Sequence, residues 1–155
     1  MSSGSNASDN SAVEVVQLVA KDGEKIPIEK GVIEVQSVII RNLFENSGGE
    51  TTDIPLDFTA SAVRAVVAWC QQHVDIAVPL TEDELSHDRF IRELTLEEHA
   101  LLNMDPSDLA EVLKAAHYLE VTTLLNAACR MAAKQIEAIG TIEGIKQYLN
   151  FPEPI

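Results

Sequence analysis

Strand signals in this chain are confined to the residues before 57, and from Thr59 onward every apolar repeat has the helical period. That one switch excludes barrels, sandwiches and parallel α/β sheets, which all need strands along their whole length. Residues 13–29 predict two short strands, with β-formers at Val13, Val15, Val16, Leu18 and Val19 and a turn at Asp22-Gly23. Pro27 lies in the second of these strands, which predicts an edge position because proline donates nothing to a ladder. Val32, Val35, Ile39 and Leu43 predict one helix over 32–46, ended by Gly48-Gly49. Asp53–Leu56 reads as a short strand. Thr59 or Ser61 can cap the next helix, whose apolar stripe is Val63, Val66, Val67 and Cys70 with Trp69 alongside.

The rest is helical. Thr95 and Glu98 have capping-box spacing, which predicts a short helix through Leu102. Asp105-Pro106 then starts a helix to about Tyr118, Thr122 can cap another to about Ile139, Gly140 stops it, and Thr141 starts a last short one. The class is α+β, a small sheet with helices followed by a helical tail. Residues 1–12 are small and polar with no apolar core, so they read as a disordered tail and not as a secretory signal.

The formal charge is −14, and the stretch 81–99 alone carries −5 of it. Such a surface repels phosphate backbones and anionic membranes, so nucleic-acid and membrane partners are not expected. No apolar run reaches the ~18 residues of a membrane span. The two cysteines, Cys70 and Cys129, sit in apolar helical patterns and read as buried free thiols, which fits a reducing compartment.

A search for chemistry finds no phosphate-binding loop, GxGxxG, GxSxG, CxxC or HExxH. His73, His87, His99 and His117 have no histidine or cysteine at metal-ligand spacing and read as surface or helix-end residues. Glu82-Asp83-Glu84 and Glu97-Glu98 read as a solvated charge run. No enzyme activity, cofactor or metal is therefore expected. The amphipathic helices carry more. Apolar stripes are usually core, yet a terminal hairpin must place Leu109, Val112, Ala132, Ile136, Leu149 and Phe151 either in its own core or against a partner.

Three stretches add a resemblance. VVQLVAKDGEKIPIEKGVIEVQSVIIRNLFEN (15–46) is similar to the opening strands, DGE turn and serine-containing first helix of the S-phase-kinase-associated adaptor family, whose members link F-box proteins to a cullin. IPLDFTASAVRAVVAWCQQHV (54–74) is similar to its WC-x-x-H signature through Trp69, Cys70 and His73. DLAEVLKAAHYLEVTTLLNAACRMAAKQI (108–136) is similar to its A-A-N-Y-L-D helix end and the L-L-x-x-x-C helix that follows.

The resemblance implies a BTB/POZ-like domain over 13–104, with a flexible acidic surface loop at about 75–93, and a helical F-box-binding extension over 105–151. It implies an adaptor subunit of an SCF-type ubiquitin ligase, with F-box proteins and a cullin as partners, in cytoplasm and nucleus. The cullin contact falls on His117 and Tyr118, with His117 replacing the family's asparagine. The F-box face falls on Leu109, Val112, Leu113, Ala132, Ile136, Leu149 and Phe151. Ala132 stands where the family usually has valine. Gly144 costs a helix about 1 kcal/mol relative to alanine. The family's aromatic before Asp105 and its final charged helix are not matched, which reads as a divergent or shortened member. The second reading is a homodimeric structural module of the same fold, self-associating through the hairpin face.

Overall fold

A computed structural model describes residues 14–48, 52–74, 81–90 and 92–149. The first strands form where the sequence places them. Strand β1 (Val15–Val19) pairs antiparallel with β2 (Lys25–Glu29), and Val16, Leu18, Ile26 and Ile28 point inward at alternate positions. The turn is closed by Asp22, whose Oδ1 accepts from the Glu24 N–H at 2.9 Å, and by Gly23 at φ 93°. The sheet order is β2-β1-β3, so Pro27 lies on an edge strand as expected. Strand β3 (Asp53–Pro55) runs parallel to β1, reached by a helical crossover, and is one residue shorter than the sequence predicts. Leu56 still donates its N–H to Val19 O at 2.8 Å and is buried.

That crossover holds the first correction. The helix expected over 32–46 is two, α1 (Lys30–Gln36) and α2 (Val38–Asn46). Ser37 separates them in an extended conformation. Its Oγ accepts from the Ile40 N–H at 3.1 Å and donates to Leu119 O at 2.6 Å. A short hydroxyl competes with the backbone for hydrogen bonds, and here it caps α2 while reaching the end of a distant helix.

Helix α3 (Ala60–Gln72) is capped by Thr59, which accepts from the Ala62 N–H at 3.2 Å. Ala62, Val63, Ala65, Val66, Val67, Trp69 and Cys70 are all buried, so α3 is apolar on most of its circumference and runs through the interior. Burial pushes the Cys70 thiol up to about 12. After it come α4 (Glu82–Phe90), α5 (Leu96–Leu102), α6 (Pro106–Leu119), α7 (Thr122–Ile139) and α8 (Ile142–Tyr148). Helix α6 packs on α3 and α2, and α7 returns along α6. One continuous core runs from Val16 in the sheet to Met131 in α7.

The capping box at Thr95 and Glu98 forms as predicted, and Thr141 caps α8. Asp105 occupies the cap position of α6 without a side-chain bond. Thr122 does not cap α7. The cap position is Val121, fully buried and held by its N–H to Ala116 O at 3.0 Å. Burying Val121 fixes the helix start one residue early, and Glu120 takes the left-handed turn at φ 53°.

The acidic stretch is the larger correction. Of the flexible loop expected at about 75–93, residues 82–90 are helix α4, packed on α7, with Asp88 buried. Residues 75–80 and 91, like the tail over 1–12, lie outside the described residues. Cys129, expected buried, is exposed.

Ser37→Ala is expected to destabilise the fold by about 1–3 kcal/mol, because it leaves Leu119 O without its donor and uncaps α2. Urea unfolding of the two proteins measures it.

Candidate interaction surfaces

The residues singled out in the sequence separate by burial. Leu109 and Val112 are 1% and 0% exposed. They face α3 and α7 as core, so neither can touch a partner, and the expected contact is corrected at both positions. Leu113, Ala132 and Ile136 are half-buried, and Leu149 is 44% exposed. Phe151 lies outside the described residues.

Two surfaces remain. The first is at the C-terminal end of α6. Tyr118 is 58% exposed and its ring meets Phe58 edge-on, with centroids 5.7 Å apart. His117 beside it is exposed. A tyrosine held by an aromatic neighbour loses little rotamer freedom on binding, which suits a docking anchor.

The second surface is built by α7 and α8. Its apolar members are Ala132, Ile136 and Leu149, to which the structure adds Ile142, 73% exposed. Ile142 stands in the first turn, directly after the cap Thr141, whose Oγ1 accepts from the Gly144 N–H at 3.1 Å. Tyr148 donates to Gln135 Oε1 at 2.5 Å, and Gln135 Nε2 donates to Met104 O at 2.9 Å, so α8 is tied to α7 and to the chain before α6.

Gly144 explains itself here. A Cβ at this position would land on Ile139 Cγ2 and 2.9 Å from Thr141 Oγ1. The missing side chain lets α8 lie close against the end of α7, so the propensity cost read from the sequence is offset by packing.

A third cluster went unseen in the sequence. Glu98 is buried, although it looked like part of a solvated charge run. It faces His73 at 2.6 Å and takes two bonds from Arg92 Nη1, at 2.9 and 3.1 Å. Arg92 Nε donates to Asp88 Oδ1 at 2.9 Å. Asn126 donates to Asp88 Oδ2 at 2.7 Å and Arg130 to Asp88 O at 2.9 Å, both from α7. Burial raises the Glu98 carboxyl, but the bonds from His73, Arg92 and the Thr95 N–H outweigh it and hold the group below its ordinary range. Arg92 loses by desolvation and gains more from Glu98 and Asp88, so it ends above its ordinary value. The cluster tethers α4 and α5 to α3 and α7. Its capping-box spacing was legible; its burial was not. Of the histidines expected at the surface or at helix ends, His73 ends α3 and is buried in this cluster, while His87, His99 and His117 are exposed.

Among the described residues no group of histidine, cysteine and carboxylate side chains could hold a metal, and no helix is long and apolar enough to cross a membrane.

A small sheet with interleaved helices, followed by a helical region on the same core, defines a BTB/POZ-like module with a helical extension. Residues 14–75 match the sequence model described as "Skp1 family, tetramerisation domain". An "E3 ubiquitin ligase complex SCF subunit sconC" of Arthroderma benhamiae is 26% identical over 129 residues, covering 83% of this chain and 78% of that protein. The "Suppressor of kinetochore protein 1" of Schizosaccharomyces pombe is 27% identical over 140 residues, 88% and 85% of the two chains. "SKP1-like protein 9" of Arabidopsis thaliana is 29% identical over 137 residues, 86% and 81%. Residues 14–75 thus match a Skp1-family POZ domain, and the chain is similar to Skp1-named and SCF-subunit proteins over most of its length.

Two outcomes follow from the geometry. Gly144→Ala is expected to destabilise by about 1–2 kcal/mol despite alanine's better helix propensity, a sign that thermal unfolding reads directly. Glu98 has a lowered pKa, so its contribution is complete above the unfolded value of about 4.3 and is lost as pH falls through the folded one. Urea midpoints across this range should drop for the native chain and drop less for Glu98→Gln, which itself costs about 3 kcal/mol at neutral pH.

Proposed function

We propose that this chain is a non-catalytic adaptor that joins F-box substrate receptors to a cullin in an SCF-type ubiquitin ligase, working in cytoplasm and nucleus. The observation that carries the reading is the presence of two exposed surfaces on one continuous core. Tyr118 stands at the C-terminal end of α6, and Leu149 lines a groove with Asp105, Pro106 and Lys114 that runs along α6. The relatives named as SCF subunits support the assignment of those partners. Tyr118 and His117 form the cullin-side contact. Leu113, Ala132, Ile136, Ile142 and Leu149 form the F-box-side face, which an amphipathic helix set would cover.

The exposure of Ile142 and Leu149 also favours a second reading, in which the same face pairs with a second copy of the chain. A homodimer formed this way would occlude the F-box side.

Size-exclusion chromatography with an F-box fragment and a cullin N-terminal fragment should give co-elution of all three at micromolar concentration. Tyr118→Ala should weaken cullin binding at least about tenfold and leave F-box binding intact; Ile142→Glu should do the reverse. Loss of neither interaction in either variant removes the assignment of these surfaces. A native mass that stays at the monomer value at every concentration removes the homodimer.

A further inference from the structure

His73 has a role that neither surface uses. It ends α3, is 7% exposed, and presents each ring nitrogen to an acceptor. Nδ1 lies 2.7 Å from Trp69 O, and Nε2 lies 2.6 Å from Glu98 Oε2. A carbonyl oxygen only accepts, so Nδ1 must donate. Glu98 already accepts from Arg92 and from the Thr95 N–H, which makes it a carboxylate, so Nε2 must donate as well. A neutral imidazole has one N–H and can satisfy only one of these partners.

Two further features favour a cation at this place. The ring stacks on Trp69, with centroids 3.9 Å apart and planes at 24°, and an aromatic face attracts positive charge. The position is the C-terminal end of a thirteen-residue helix, where the helix dipole is negative.

The charged and titratable groups around the ring come from every element packed on it. Glu98 comes from α5, and Arg92 from the segment before it. Asp88 comes from α4, and Asp83, Glu84 and His87 of α4 line the cavity that His73, Trp69 and Thr123 also line. Asn126 and Arg130 of α7 hold Asp88, and α1 contributes Gln36, which donates to the His73 carbonyl at 2.9 Å. The order His73, Glu98, Arg92, Asp88 alternates in sign only when the ring is charged.

We propose that His73 carries both ring protons in the folded chain and that this buried imidazolium is a proton-controlled latch, holding Glu98 and, through Arg92 and Asp88, the acidic helix α4 against α7. Loss of one ring proton sets a nitrogen lone pair against the Glu98 carboxylate. The carboxylate is then repelled from α3, and the Arg92 bridge that pins α4 loses its anchor. The core under α3 does not depend on the latch, so α4 and α5 loosen while the sheet stays folded. The inference requires no partner and stands apart from the adaptor reading.

Nitrogen-labelled histidine in the full chain tests it by NMR. Both His73 ring nitrogens should show attached protons wherever α4 and α5 are protected. As pH rises, the loss of one should be accompanied by an about tenfold fall in amide-exchange protection in α4 and α5, after correction for base catalysis, with β1 and β2 unchanged. In His73→Gln the response should vanish, and in the exposed neighbour's variant His99→Gln it should persist. A single neutral tautomer wherever the chain is folded overturns the proposal, and so does α4 protection that ignores the ring's protonation. Both of these readings come from the native chain, so they hold even if His73→Gln fails to fold.

Discussion

Helix α3 must be buried on nearly all sides, and the rest of the molecule is arranged to do that. Ala62, Val63, Ala65, Val66, Val67, Trp69 and Cys70 leave that helix only the narrow stripe of Ser61, Arg64, Gln71 and Gln72 fit for water. The sheet is too small to cover it: three strands, the longest of five residues, shield one side. The remaining sides are closed by α1, α5 and α6, and α6 in turn needs α7. The helical extension is therefore part of the core that it completes. Leu109 and Val112 are drawn inward by the same demand, which is why an amphipathic stripe that looked available to a partner is not.

What covers α3 also fixes the polar chemistry. Trp69 needs a partner for its indole N–H when buried, and Thr123 of α7 supplies one at 3.1 Å. The end of α3 brings His73 into the same interior, where a charged ring is tolerable only with a carboxylate against it. Glu98 meets that need from the first turn of α5 while also completing its capping box. One residue thus serves a local motif and a long-range pair. The acidic helix α4 hangs on the outer end of this chain of charges, and most of its own carboxylates face solvent.

The surfaces proposed for partners are what this packing leaves over. Tyr118 is two positions past the buried Ala116 and directs its ring away from the core onto Phe58. Ile142 is exposed because Gly144 lets the other side of α8 sit close to Ile139. In each case exposure follows from a neighbour's burial. The fold was legible at the level of element type and order: the hairpin, the edge position of Pro27, the capping box and the stop at Gly140 all stand where local rules put them. The break at Ser37 was not, because its hydroxyl is satisfied by Leu119 O, a group 82 residues away. The burial of Glu98 was hidden too, since its partner His73 lies 25 residues earlier and a run of acids looks solvated when read in line.

The sequence by itself determined the strands and most of the helices, the acidic helix α4 excepted, where most of them start and stop, and that GxGxxG, GxSxG, CxxC and HExxH do not occur. Those properties follow from period, caps and turn residues, which act within a few positions of one another. Only the tertiary structure decided which apolar residues are core and which are surface, and which carboxylates pair with which cations. Burial and charge pairing depend on distances between residues far apart in the chain, and those distances exist only once α3 has been covered.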